Sequence, residues 1–171
     1  MHEIYLKMAQ NNAWANATLY QAIAAVPASA ATQPAPGFFA TLAATMNHIY
    51  EVDLYYVDAL QAGGRGRSVY RRIKETALTR LAHDQAAIDT RLIAFCSALT
   101  PQDLPATRRT ERPTETCTET VQALLLHLFQ HQVHHRGQAH VQLHAVGGTP
   151  PQLDEFHLAF ERAPSARAYW P

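Results

Sequence analysis

Apolar residues recur every three to four positions over four long stretches of the chain, and proline or glycine closes each stretch. The first runs from about Glu3 to Val26 and stops at Pro27, since proline cannot extend the helix it interrupts. Residues 28–37 hold Pro34, Pro36 and Gly37 and read as a linker. The second stretch, from about Phe38 to Ala62, carries Leu42, Met46, Ile49, Tyr56 and Leu60 at helical spacing and ends at Gly63-Gly64. A third spans roughly Thr76–Leu99, with Leu78, Leu81, Ile88, Leu92 and Phe95 on one stripe before Thr100-Pro101. The fourth starts near Thr116–Thr120, where Thr116 and Glu119 have capping-box spacing. It runs to Val146 and stops at Gly147-Gly148.

Between the third and fourth stretches, Leu104–Cys117 changes character, with two short Thr/Arg-rich segments around Glu111-Arg112-Pro113-Thr114. That pattern predicts a small hairpin. A short fifth helix is expected over Asp154–Arg162. Four amphipathic helices of about 24–27 residues, each roughly 36–40 Å long, bury their stripes against one another. The expected fold is therefore all-α, a four-helix bundle in one domain over residues 1–171, with the hairpin before the fourth helix and a short C-terminal helix.

Composition narrows the function. The 171 residues are 47% apolar and 16% charged, with 14 basic against 14 acidic side chains. Neutrality gives no general attraction to nucleic acid or anionic membrane. Arg65, Arg67, Arg71, Arg72 and Lys74 cluster beside a glycine-rich loop, but without aromatic interleaving beyond Tyr70 they read as a solvated loop. No apolar run has a membrane helix's length and no secretory leader is evident, so neither membrane nor nucleic acid is an expected partner and the location is expected to be cytoplasmic. The two cysteines, Cys96 and Cys117, have no metal-binding spacing.

Histidine is in excess: ten in all, six of them between His127 and His144. On a wheel of about 100° per residue, Val121, Leu124, Leu125, Leu128, Ala139, Leu143 and Val146 share one face. His135 lies about 40° and His131 about 80° from the centre of that face, one turn apart and inside the apolar margin. A buried imidazole needs a hydrogen-bond partner or a metal. His127 and His134 fall further round, while His140 and His144 lie on the opposite side and read as a solvated face. Two histidines are too few for a catalytic ion, which takes three protein ligands and an open position. The third can come from His2, His48, His83 or His157, and periodicity does not choose among them.

Two familiar metal patterns are excluded. His131-Gln132-Val133-His134-His135 has zinc-protease spacing, but Gln132 stands where a general-base glutamate is needed. No Glu-x-x-His motif of a di-iron bundle occurs.

Three segments together resemble the DinB-like (YfiT-like) metal-binding four-helix bundles. They are His131-Gln132-Val133-His134-His135-Arg136-Gly137-Gln138, then Asn47-His48-Ile49-Tyr50-Glu51-Val52-Asp53, and Asn12-Ala13-Trp14-Ala15-Asn16. The resemblance implies a metal triad of His48, His131 and His135 holding one divalent ion, zinc or nickel. It also implies a homodimer and a small-molecule substrate, since such proteins include thiol-dependent S-transferases and isomerases. A metal-dependent enzyme that activates a low-molecular-weight thiol or water is thus one expectation. The other is a non-catalytic dimeric bundle whose structural or sensory metal is closed by a fourth ligand such as His83 or Glu51. In either case His127 and His134 are candidates for supporting positions. Arg136 is expected to snorkel at the helix surface, and Gly137 to permit close helix approach.

Overall fold

A computed structural model describes residues 3–159 and 164–169. Four long helices form: α1 (Glu3–Ala24), α2 (Leu42–Leu60), α3 (Leu78–Ala98) and α4 (Val121–Ala145). Helices α1 and α2 each pack against both α3 and α4, so α1/α2 and α3/α4 are the diagonal pairs of the bundle. One core cluster, around Leu60, Val57, Leu92, Leu125 and Leu128, fills one end. A second, around Leu19, Leu42, Met46, Ile49, Leu81 and Leu143, fills the other.

The α3–α4 connection crosses a diagonal and carries the expected hairpin. Its strands β1 (Thr107–Glu111) and β2 (Thr116–Thr120) pair antiparallel, from Thr107 opposite Thr120 to Glu111 opposite Thr116. Pro113, which cannot donate to the ladder, lies in the turn closed by Arg112 N–H donating to Glu115 O at 2.7 Å. The hairpin covers the C-terminal end of α2: Arg108 Nε donates to Leu60 O at 2.8 Å and the Tyr55 hydroxyl donates to Glu111 O at 2.6 Å. An arginine there satisfies a carbonyl the helix leaves open.

Strand pairing moves the start of α4. Thr116 and Glu119 belong to β2, and the cap is Thr120, whose Oγ1 accepts from Ala123 N–H at 3.1 Å. Thr120→Ala is expected to cost about 1 kcal/mol of stability, readable as a lower urea midpoint at an unchanged slope. The second helix also starts later than its apolar pattern suggests. Thr41 Oγ1 caps it by accepting from Ala44 N–H at 3.1 Å, leaving Phe38 and Phe39 in the preceding loop.

The helix expected over Asp154–Arg162 does not form in its described part, where residues 154–159 run through turns; residues 160–162 lie outside the described residues. Packing on α1 takes precedence there, with the Phe156 ring 5.5 Å from that of Trp14. A C-terminal helical turn follows at Pro164–Ala168, where Trp14 Nε1 donates to Ser165 Oγ at 3.0 Å. Tyr169 packs on the same cluster, and Trp170, like His2, lies outside the described residues. No helix among the described residues is long and apolar enough to cross a membrane.

Candidate metal centre

The middle of α2 and the middle of α4 meet at three imidazoles. His48 projects from α2, and His131 and His135 from successive turns of α4. Each offers one ring nitrogen, and the three nitrogens lie within 4.8 Å of one another. His48 Nε2 and His131 Nε2 are 3.0 Å apart, and the His131 and His135 ring centres 4.3 Å. Of the open candidates, His83 is exposed beside Asp84 on α3, the helix diagonal to α4, and His157 lies in the C-terminal segment. Among the described residues, no further histidine, cysteine or carboxylate joins the group.

All three rings are shifted towards the neutral form. Burial and the nearby His135 and Lys74 lower His48 to about 4. Burial together with His135 and His48 lowers His131 to about 3. His135 is lowered by burial, and its bond to Gln138 opposes that shift. Neutral imidazole is the form that ligates. The tautomer is suited to it as well: His135 Nδ1–H donates to Gln138 Oε1 at 2.8 Å, leaving Nε2 with its lone pair. Gln138 Nε2 in turn donates to His134 Nε2 at 3.0 Å, so His134 supports the site without entering it.

One feature of the geometry fits an ion. The facing Nε2 atoms of His48 and His131 lie at hydrogen-bond distance, where an ion or a proton must separate two lone pairs. Divalent zinc, nickel and their neighbours accept such an all-imidazole set.

Around the triad, Phe39 covers one side, its ring 4.6 Å from His48 and 5.8 Å from His135. Gln142 holds that loop, its Nε2 donating to Phe39 O at 2.8 Å while its Oε1 accepts from Thr45 Oγ1 at 2.6 Å. Gly37, at φ +135°, gives Gln142 its room, since a Cβ there would stand 3.3 Å from Nε2. On the other side the His127 ring lies 4.9 Å from Tyr56, whose hydroxyl accepts from Arg112 Nη1 at 3.4 Å. Before the triad on α2, Asn47 anchors the 72–75 segment: its Oδ1 accepts from Arg72 and Glu75 N–H, and its Nδ2 donates to Glu75 O. Glu51, a turn after His48, is ion-paired with Lys74 and lies 3.6 Å from Arg72. Two of the five clustered basic residues are thereby engaged.

The sequence pattern of the DinB family matches residues 1–165. The chain belongs to the DinB family. No curated protein matches it.

Beneath the three-histidine cluster of this DinB chain lies a polar layer that periodicity did not anticipate. Arg136 is not at the surface; it is 5% exposed. Its Nη1 donates to Asn12 Oδ1, to Asn16 Oδ1 at 3.1 Å and to Gln132 Oε1 at 3.3 Å. Asn12 and Asn16 pass the network to Asp89 on α3, each donating to its Oδ1 at 3.1 Å. Gln132 Nε2 donates to Asp53 Oδ1, and Gln85 Nε2 bridges Asp53 Oδ2 at 2.7 Å and Asp89 Oδ1 at 3.2 Å. Gln132 therefore turns into the bundle, away from the triad. Burial raises the Asp53 carboxyl and raises Asp89 to about 6, while it lowers Arg136 to about 10. Gly137 provides no close approach: it is exposed, with open space around its Cβ direction. His144 is exposed as expected, and His140 Nε2–H donates to Pro151 O at 3.0 Å.

Proposed function

We propose that this DinB chain is a metal-dependent enzyme of the S-transferase or isomerase type. In this reading His48, His131 and His135 hold one divalent ion per one-domain chain, zinc or nickel, and the group activated is a low-molecular-weight thiol or water. The observation that carries it is the convergence of three imidazole nitrogens within 4.8 Å, joined by no fourth ligand among the described residues. Bound by three neutral ligands, a divalent ion keeps its full charge and an open position, and acidifies a thiol or water placed there.

The chain's own residues supply orientation and shielding. Gln138 fixes the His135 tautomer, as outer partners of ligating histidines do. Phe39 shields the His48 side from water, while the His127–Tyr56–Arg112 side offers polar groups to a small-molecule substrate. The thiol comes from outside the protein. Cys96 is buried and its thiol is pushed up to about 12, and Cys117 sits on β2.

The alternative, a non-catalytic dimeric bundle with a structural or sensory metal, needs a closed fourth position. Its two candidates are engaged elsewhere, Glu51 with Lys74 and His83 beside Asp84. A homodimer in the cytoplasm completes the proposal. The test is a screen of low-molecular-weight thiols against electrophiles, including maleylpyruvate-like and epoxide substrates, on protein of measured metal content. Turnover that disappears with a chelator and returns with zinc or nickel is the expected result. Metal-loaded protein that turns over none of them leaves the structural role instead.

A further inference from the structure

Helix α4 carries two apolar stripes, and the bundle buries only one of them. Leu125, Leu128, Ala139 and Leu143 face the core. On the opposite side Leu126, Val133 and Val141 are 54%, 58% and 55% exposed. At about 100° per residue these three, with Gln130 and Gly137 between them, fall within an arc of about 80°. Among the described residues, the other long helices expose one large apolar side chain, Ile4 at the start of α1. A single exposed leucine is ordinary, whereas an aligned row marks a contact surface.

The polar residues of that face point to what covers it. Among its 25 residues α4 holds one formally charged side chain, Arg136, and that is buried in the layer beneath the triad. Beside the stripe it turns glutamine and histidine to solvent, at Gln122, His134 and His144. By contrast, α3 exposes Arg80 and Arg91. A lipid surface would require lysine or arginine beside the apolar residues, and a partner of different sequence is ordinarily matched by opposite charge. A face that meets its own copy about a two-fold axis brings like residues together, so an exposed charge near the axis would meet its equal. A face emptied of charge suits that arrangement.

The stripe is also complementary to itself. Run antiparallel about a two-fold axis beside Val133 and His134, it sets Leu126 of one copy opposite Val141 of the other, and Gln130 opposite Gly137. Gly137 has nothing within 4 Å of its Cβ direction, so the long Gln130 side chain finds open space there. Antiparallel helices also oppose their dipoles favourably.

We propose that the outward face of α4 is the interface of a two-fold homodimer, in which Leu126 packs on Val141 at either end and Gly137 admits Gln130 between them. The axis passes at the level of His131 and His135, so the two histidine clusters stand at one height on either side of it. The inference rests on the homodimer of the proposed function, to which it gives a surface, and not on the metal.

The test is sedimentation equilibrium of the full chain, with metal content measured on the same samples. The wild type is expected at twice the chain mass of 19.0 kDa. Leu126→Lys and Val141→Glu each bury a charge against an apolar residue twice per dimer, and each is expected to weaken association at least about tenfold. Mixed in equal amounts, the two variants bring the introduced lysine opposite the introduced glutamate at one end and keep the native pair at the other. The mixture should associate at least about tenfold more tightly than either variant alone. Gly137→Lys closes the opening with a better helix former, so it is expected to give a monomer with unchanged helical circular dichroism and metal content. A wild type that sediments as a monomer overturns this interface and the homodimer together, while metal content still tests the metal reading. A dimer that all three variants leave intact, or a mixture that associates no better than its parts, overturns the interface alone.

Discussion

Replacing His131 with alanine is expected to abolish divalent-metal binding while the helical circular dichroism stays close to that of the wild type. His131 is the central ligand of the proposed triad, its ring 4.9 Å from that of His48 and 4.3 Å from that of His135. Its removal leaves one ligand on each of α2 and α4. The fold loses little, because the side chain is only half-buried and its Nδ1 makes no hydrogen bond. Affinity for zinc or nickel should fall more than about a hundredfold, beyond the roughly 10–100-fold that loss of an outer partner costs. Gln138→Ala supplies that comparison, since it removes only the acceptor that orients His135. Thermal denaturation gives a second readout. At an ion concentration near a hundred times Kd, the wild type should gain about 2.7 kcal/mol, and His131→Ala should gain nothing. Retention of one tightly held ion per chain by the variant would remove the triad from consideration.

The four helices were legible because a stripe of apolar residues at period 3.6 is a local signal that each helix carries by itself. Element ends were less legible where tertiary pairing intervened. Thr116–Thr120 has a helix-start pattern, yet it pairs with Thr107–Glu111, and the helix waits for Thr120 to cap it. The wheel placed His131 and His135 near the core margin but could not choose between His48 and His83. Angular position on one helix does not say which helix lies opposite. That choice follows from the bundle, in which α4 packs on α2 and stands diagonal to α3. Arg136 was misjudged for a related reason. Nothing local distinguishes a snorkelling arginine from a buried one, because its partners Asn12 and Asn16 lie more than a hundred residues away. The Asn12–Asn16 segment that carries part of the family resemblance thus has a physical role: two amides one turn apart join Arg136 to Asp89.

That polar layer carries the largest expected effect on stability. Arg136→Met keeps much of the side-chain volume and removes the charge and its donors. Three buried amide oxygens, on Asn12, Asn16 and Gln132, lose the donor they share, and Asp53 and Asp89 lose the only guanidinium of the layer among the described residues. Removing one member of a buried charged group typically costs about 3–5 kcal/mol, and urea denaturation at neutral pH should show a loss of that order. The loss should also depend on pH, with a definite sign. Asp89 sits above its ordinary range, at about 6, so the stability tied to its protonated form is present below the usual aspartate range and fades as pH rises through about 6. Arg136 opposes that rise for Asp89 and Asp53 alike. Without it both carboxyls are harder to ionise, and the fading becomes steeper. The stability gap between wild type and Arg136→Met should therefore be widest near about pH 8 and narrow towards about pH 5, where the carboxyls take up protons. Protonation of His48 and His131 at acid pH weakens both proteins and largely cancels in the difference. A gap that stays constant across this range would mean that Arg136 contributes packing and hydrogen bonds but no charge balance.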